Sequence, residues 1–175
     1  MTHWPGHAVL QVPVVGLDDF VRGRFQHHDP DLVGISDLLG EDFVHAHVTV
    51  LGPFDALPDR HQVQRLAATW APFDAFCGRV ATFPNGIIHA PVEPASSFTH
   101  MTATAQDAFG GVKPYRGQFD VSPHVTLDAV AEGVDADTVA AQLSDVLPLA
   151  FRAEVVDLVW YEQGATRLVA RIDLA

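Results

Sequence analysis

This sequence predicts a mixed α/β fold made of two related halves. Three observations carry the prediction. The order strand, helix, strand, helix, strand can be read twice along 175 residues. The middle strand of each pass holds the same phrase, His47-Val48-Thr49-Val50 and then His124-Val125-Thr126-Leu127. The phrases stand 77 residues apart, and each follows the first strand of its own half at a similar distance, 40 residues from His7 and 38 from Gly86. Two copies are too few for a solenoid, which needs at least three repeats. The expectation is one bilobed domain over 1–175, with lobes at 7–83 and 86–174 related by an approximate two-fold.

His7 to Val15 is short, Val-rich and bounded by Gly6 and Gly16, so it reads as a strand, with Pro13 pointing to an edge or bulge. Leu17 to about Gln26 has apolar residues at helical spacing. Phe43 to Leu51 is β-branched and stops at Gly52-Pro53. Pro58-Asp59 opens a helix that ends before Pro72, and Phe73 to Phe83 reads as a strand. The second pass begins with a strand over Gly86 to Val92. A helix follows over Ala95 to Phe109, with Ser96 or Ser97 as N-cap and Gly110-Gly111 as its stop. Phe119 to Ala129 is a strand, and Asp135 to Leu147 a helix stopped by Pro148. Phe151 to Tyr161 and Thr166 to Leu174 alternate around Gln163-Gly164 as a terminal hairpin. Phe43, Phe54, Phe73, Phe76 and Phe83 fit core positions.

The apolar fraction of 48% and charged fraction of 18% suit a chain that buries a core and exclude wholesale disorder. Ten basic against 22 acidic residues leave a net charge of −12 with His neutral, and no basic stripe is present. A long nucleic-acid duplex is therefore not the expected partner, whereas a small anion needs only a few local donors. The single cysteine, Cys77, permits no internal disulfide and reads as a small buried side chain rather than a nucleophile. No secretory signal or 20-residue apolar run is found, so a soluble, cytoplasmic monomer is expected.

Side chains alternate faces along a strand, so His47 and Thr49 point one way and Val48 the other, as do His124 and Thr126 against Val125. If the two lobes meet, their polar faces form one cleft with two imidazoles and two hydroxyls. Such a set suits phosphodiester chemistry. One neutral imidazole takes a proton from water or a ribose hydroxyl, and the other, protonated, gives one to the leaving oxygen. The Thr hydroxyls donate to the non-bridging oxygens as charge develops. Neither a metal nor another cofactor is required.

The paired phrases resemble the signature of the two-histidine phosphoesterase superfamily, the LigT-like or 2′-5′ RNA ligase family. His7-Ala8-Val9-Leu10-Gln11-Val12-Pro13-Val14, Gly52-Pro53-Phe54 and Ser122-Pro123 are similar too. The resemblance covers about Ala8 to Leu174. It implies a bilobed fold with a central cleft between two antiparallel sheets and helices outside. It implies hydrolysis of 2′,3′-cyclic phosphates, or reversible 2′-5′ joining of RNA. It also implies His47 and His124 as the catalytic pair and Thr49 and Thr126 as phosphate binders. The acidic chain departs from what RNA-processing members would offer a polynucleotide and favours a small nucleotide or a short RNA end.

Around this pair stand further candidates for substrate contact. His45 shares a face with His47 and is either a third cleft imidazole or a residue at the strand's wet end. Ser122 is its counterpart in the second half. Tyr115 and Arg116, in a glycine-flanked loop, either form a lid over base and phosphate or are simply solvated. Trp160 and Arg167 sit at the terminal hairpin, where packing and base stacking are both open. His3, His7, His27 and His28 read as surface. Two other readings stay open: a nucleotide-binding module without catalysis, and a metal hydrolase using His45, His47 and His124.

Overall fold

The structure is a computed structural model, and it describes residues 6–22, 24, 42–162 and 165–175. The first pass comprises β1 (His7–Pro13), α1 (Asp18–Arg22), β2 (His47–Phe54), α2 (Arg60–Ala67), β3 (Phe73–Cys77) and the short β4 (Ala81–Thr82). The second comprises β5 (Ile87–Pro91), α3 (Ala95–Ala108), β6 (His124–Ala129), α4 (Ala136–Gln142), β7 (Leu149–Ala153) and β8 (Val155–Tyr161), with β9 (Arg167–Asp173) added at the end. His3, His27, His28 and the Gln163-Gly164 turn lie outside the described residues.

The chain adopts the expected mixed α/β class with two antiparallel sheets. One has seven strands in the order β4-β5-β6-β2-β1-β8-β9, and the other is the pair β3-β7. The two sheets are not divided one per half. Outward from the β6/β2 seam, each phrase-bearing strand is flanked first by the opening strand of its own half. Beyond that comes a strand crossing over from the other half, β8 beside β1 and β4 beside β5. β3 and β7, the third long strands of each half, pair with each other. The seam itself rests on one residue pair, Val48 with Val125, both fully buried.

Alternation sorts the sheet into two faces. Ala8, Leu10 and Val12 of β1 join Val48, Val50, Val125 and Leu127 in the main core, together with Val63 and Leu66 of α2 and Phe98 and Met101 of α3. The opposite face carries Val9, Val159 and Tyr161 packed with Phe43. It also carries a polar row, because Gln11 stands opposite Thr49 on one side and Asp157 on the other, and Asp157 stands opposite Arg171.

Several boundaries shift for physical reasons. β2 begins at His47 rather than Phe43 because the amides of His45 and Ala46 are taken by the Asp18 carboxylate and not by a neighbouring strand. α3 is capped by Pro94 with no side-chain cap bond, and Ser96 and Ser97 lie inside the helix. β6 starts at His124, and Phe119 before it is 54% exposed. The predicted strand from Phe73 to Phe83 breaks after Cys77, and Phe76 points out at 49% exposure instead of into the core. The helix starts at Asp59 and Asp135 do hold: each aspartate side chain accepts an amide of its first turn, and Asp135 completes a capping box with Thr138. No helix among the described residues is long and apolar enough to cross a membrane.

Candidate active site

Antiparallel pairing centred on Val48 and Val125 brings the two phrases together. It sets His47 across from Thr126 and Thr49 across from His124, all four on the face away from the main core. A cavity of about 870 Å³ opens there, and His47, Ser122, His124 and Thr126 are among the residues that line it, with Phe83 and Tyr115.

Each imidazole is fixed by a carbonyl two residues upstream. His47 Nδ1 lies 2.7 Å from the carbonyl oxygen of His45, and His124 Nδ1 lies 2.7 Å from that of Ser122. A carbonyl oxygen only accepts, so each Nδ1 carries the proton and donates it. Each Nε2 is therefore the nitrogen left for chemistry in the neutral ring. Burial pushes the His47 imidazole down to about 4, with the neighbouring His124 and His45 adding to the effect. Burial also lowers His124, against the support of the Ser122 carbonyl. His47 is thus the ring more firmly held neutral.

The candidates around the pair separate clearly. Ser122 lines the cavity and serves His124 through its carbonyl. His45 is not a lining residue. Its ring is buried edge-on against Phe43, with centroids 4.8 Å apart, and it serves His47 through its backbone. Among the described residues, no three His, Cys, Asp or Glu side chains converge as a metal-ligating set. Tyr115 lies over the site. Its ring stacks on His124 at 6.4 Å, and its hydroxyl is hydrogen-bonded to Thr49, which the open cavity does not reach directly. Tyr115 and Arg116 have φ of 50° and 56°, a left-handed backbone that costs strain in residues with side chains. Arg116 reaches Asp55 at 3.0 Å, so its guanidinium is already paired at the rim of the cleft.

Trp160 and Arg167 are not brought to the cleft. They face each other across β8 and β9 on the side opposite Tyr161, where Trp160 packs on the main core and against Gly6. A Cβ on Gly6 would come within 2.3 Å of the Trp160 ring, which is why glycine is needed there. Their place follows from strand parity, since Trp160 is one residue off Tyr161, which packs with Val9 and Phe43 on the other face of the sheet. His7, read as surface, instead stacks on Tyr161 and feels the charges of Arg116 and Asp55. Cys77 is buried and its thiol is pushed up to about 11, so it stays protonated and inert.

Two residues whose rings contact His124 escaped the sequence reading of the site. His89 on β5 stands opposite Thr126, is 4% exposed, and approaches His124 with ring centroids 5.3 Å apart. Phe83, assigned to the core, stacks on His89 at 3.5 Å and meets His124 edge-on at 4.8 Å. A signal for His89 existed. It is the one polar side chain in Ile87-Ile88-His89-Ala90-Pro91, in the strand equivalent to the one that carries Gln11. Gln11 and His89 each face the threonine of a phrase, so they are matching positions of the two halves.

The profile of the 2′-5′ RNA ligase superfamily matches residues 40–165, a span that includes both phrases. The chain belongs to the 2′-5′ RNA ligase superfamily. No curated protein matches it. Its fold is that of solved structures of low sequence identity. Escherichia coli LigT complexed with 3′-AMP superposes with a TM-score of 0.58 at 16% identity, covering 98% of this chain and 99% of that one. TT0787 of Thermus thermophilus gives 0.56 at 16% identity, covering 96% and 97%. LigT has also been solved with NADP+, at a TM-score of 0.55 and 15% identity, covering 98% of each chain. In this chain the fold places the two His-x-Thr strands side by side at one seam.

Proposed function

We propose that this superfamily member is a metal-independent phosphodiesterase that opens 2′,3′-cyclic phosphates, or cleaves 2′-5′ linkages, on small nucleotides and short RNA ends. The observation that carries the reading is the pair of His-x-Thr phrases side by side, each imidazole locked with Nδ1 protonated and Nε2 toward one cleft. Residues 7–174 act as one two-lobed unit, because the site is assembled from both halves.

In cyclic phosphate hydrolysis, neutral His47 takes a proton from water through Nε2, and the water oxygen bonds to phosphorus. The bond to one ribose oxygen breaks, and protonated His124 gives that oxygen its proton. The deeper burial of His47 supports this division: held down to about 4, it is the ring available as a base near neutrality. An anionic phosphate bound beside the ring favours the charged form of His124. Thr126 and Thr49 donate to the non-bridging oxygens, Thr49 after Tyr115 shares or yields its hydroxyl.

This division of labour separates the threonines from nucleophiles. Thr126→Val, which removes the donor at constant shape, is expected to lower kcat/KM on the order of 10², as for loss of an oxyanion donor, while Thr126→Ser stays mild. A phosphothreonine trapped at Thr49 or Thr126 contradicts it.

The decisive experiment is turnover of 2′,3′-cyclic mononucleotides, with chelator present, against a folded RNA bearing the same cyclic end. With a net charge of −12, productive binding rests on a few cleft donors. The mononucleotide should be the better substrate, with a shallow fall in kcat/KM as salt rises, since few counterions are released. No turnover of any cyclic or 2′-5′ substrate overturns the reading. A strong preference for the folded RNA with a steep salt slope overturns the substrate class.

A further inference from the structure

The cleft is symmetric in its two phrases but not in what stands behind them. Asp18, at the start of α1, is 8% exposed and makes no contact with the cavity. Its Oδ1 accepts the amide of His45 at 2.6 Å and that of Ala46 at 3.1 Å. Its Oδ2 is held by Arg22 at 2.8 Å, and the same guanidinium nitrogen donates to the Phe43 carbonyl at 2.8 Å. The segment just before β2, which lacks a full strand ladder, is thereby fixed by one ion pair.

The Ala46 amide belongs to the same peptide unit as the His45 carbonyl that accepts the His47 Nδ1 proton. A trans peptide is planar, with its N–H and C=O pointing oppositely. Fixing the N–H on the carboxylate therefore fixes the oxygen at which the imidazole is aimed. A carboxylate on the N–H also polarises the amide and strengthens that oxygen as an acceptor. The arrangement is an aspartate–histidine couple with a peptide bond between its members. The second half cannot build one. The peptide whose carbonyl serves His124 joins Ser122 to Pro123, and proline has no N–H to offer.

We propose that Asp18 is a positioning residue for His47, acting through the His45–Ala46 peptide, and that this one-sided support sets His47 apart from His124 as the base. The role assignment rests on the function proposed above, whereas the orientation of the His47 ring can be read without any substrate. Among the described residues, the charged and titratable groups acting on His47 include His124 from β6, His45, and Asp18 from α1, and of these three it is Asp18 that favours the imidazolium.

The test follows the imidazole nitrogens by ¹⁵N NMR in the full-length protein, alongside kcat and its pH profile on a 2′,3′-cyclic mononucleotide. In wild type, His47 and His124 should both be Nδ1–H tautomers. In Asp18→Ala, His47 should become a tautomer mixture with a fast-exchanging Nδ1 proton, and His124 should be unchanged. Turnover should fall by roughly 10–100-fold with little change in KM, the usual range for loss of an outer-shell orienting partner. Asp18→Asn keeps the accepting oxygen and loses the charge. It should recover most of the turnover, while its His47 titration moves to lower pH because the charge that favoured the imidazolium is gone. A folded Asp18→Ala protein with wild-type His47 tautomer overturns the proposal. If Asp18→Ala does not fold, an unmoved His47 titration in Asp18→Asn overturns it. Absence of turnover in wild type, with the His47 signals responding as described, removes the proposed function and leaves the positioning role standing.

Discussion

His47→Ala and His124→Ala should each lower turnover of a 2′,3′-cyclic mononucleotide by about 10² to 10⁴, the range expected for losing a general acid or base. Both effects should lie in kcat, since the threonines and the rest of the cleft still bind the phosphate. The double variant should be little worse than either single one, because an acid and a base that act in one step are not additive. The profile of kcat/KM against pH should be bell-shaped with its optimum on the acid side of neutrality. Its rising limb reports His47 losing a proton near 4, and its falling limb reports His124, which burial sets below 6.5. The two rings interact, so the limbs belong to the pair. In His47→Ala the rising limb should vanish and the falling limb stay. Near-wild-type turnover in either single variant, or an optimum above pH 8, would overturn the assignment.

The largest expected loss of stability comes from the polar row behind Thr49. Asp157 is 1% exposed on its side chain, and Arg171 grips both of its oxygens at 2.8 and 2.9 Å. Arg171→Met keeps the apolar stem and removes the counter-charge, leaving a carboxylate in the interior. Breaking one side of a fully buried pair costs about 3–5 kcal/mol, and because the Arg171 side chain is 33% exposed the expected loss lies toward the lower end of that range. Burial already raises the Asp157 carboxyl above its ordinary value, and without the guanidinium it rises further. The folded state then binds the Asp157 proton more tightly than the unfolded state does. Stability is therefore retained near pH 4 and lost as pH rises toward neutrality. Urea denaturation at pH 4.5 and 7 should show the defect to be larger at 7, with Asp157→Asn on the same background recovering most of it. A loss under about 1 kcal/mol at both values of pH would mean the ion pair contributes nothing net.

The row also shows how a remote pair bears on the site. Asp157 lies beside Gln11, and Gln11 accepts the Tyr161 hydroxyl at 2.9 Å while standing opposite Thr49. Arg171→Met should accordingly affect stability well before it affects turnover of the folded fraction.

Much of this protein was legible in the chain itself, and for a local reason. Strand parity sends His47 and Thr49 to one face and Val48 to the other whatever the rest of the fold does, and the second phrase repeats the arrangement. The duplicated order of elements likewise follows from spacing, turn residues and helix caps such as Asp59 and Asp135, which act within three or four residues. What spacing could not say is how the halves join. One seam pair, two exchanged outer strands and the β3-β7 partnership are long-range pairings, and any of several registers would satisfy the same local pattern. Those pairings decide that His89 and Phe83 reach His124, that Trp160 and Arg167 face away, and that Tyr115 covers Thr49. They also bring Asp18 to the peptide behind His47, 27 residues distant from His45 in the chain. The sequence by itself determined which four side chains share a face, because that depends on alternation alone. Only the tertiary structure decided which of the two histidines has a carboxylate behind it, because that depends on a contact between segments no local rule connects.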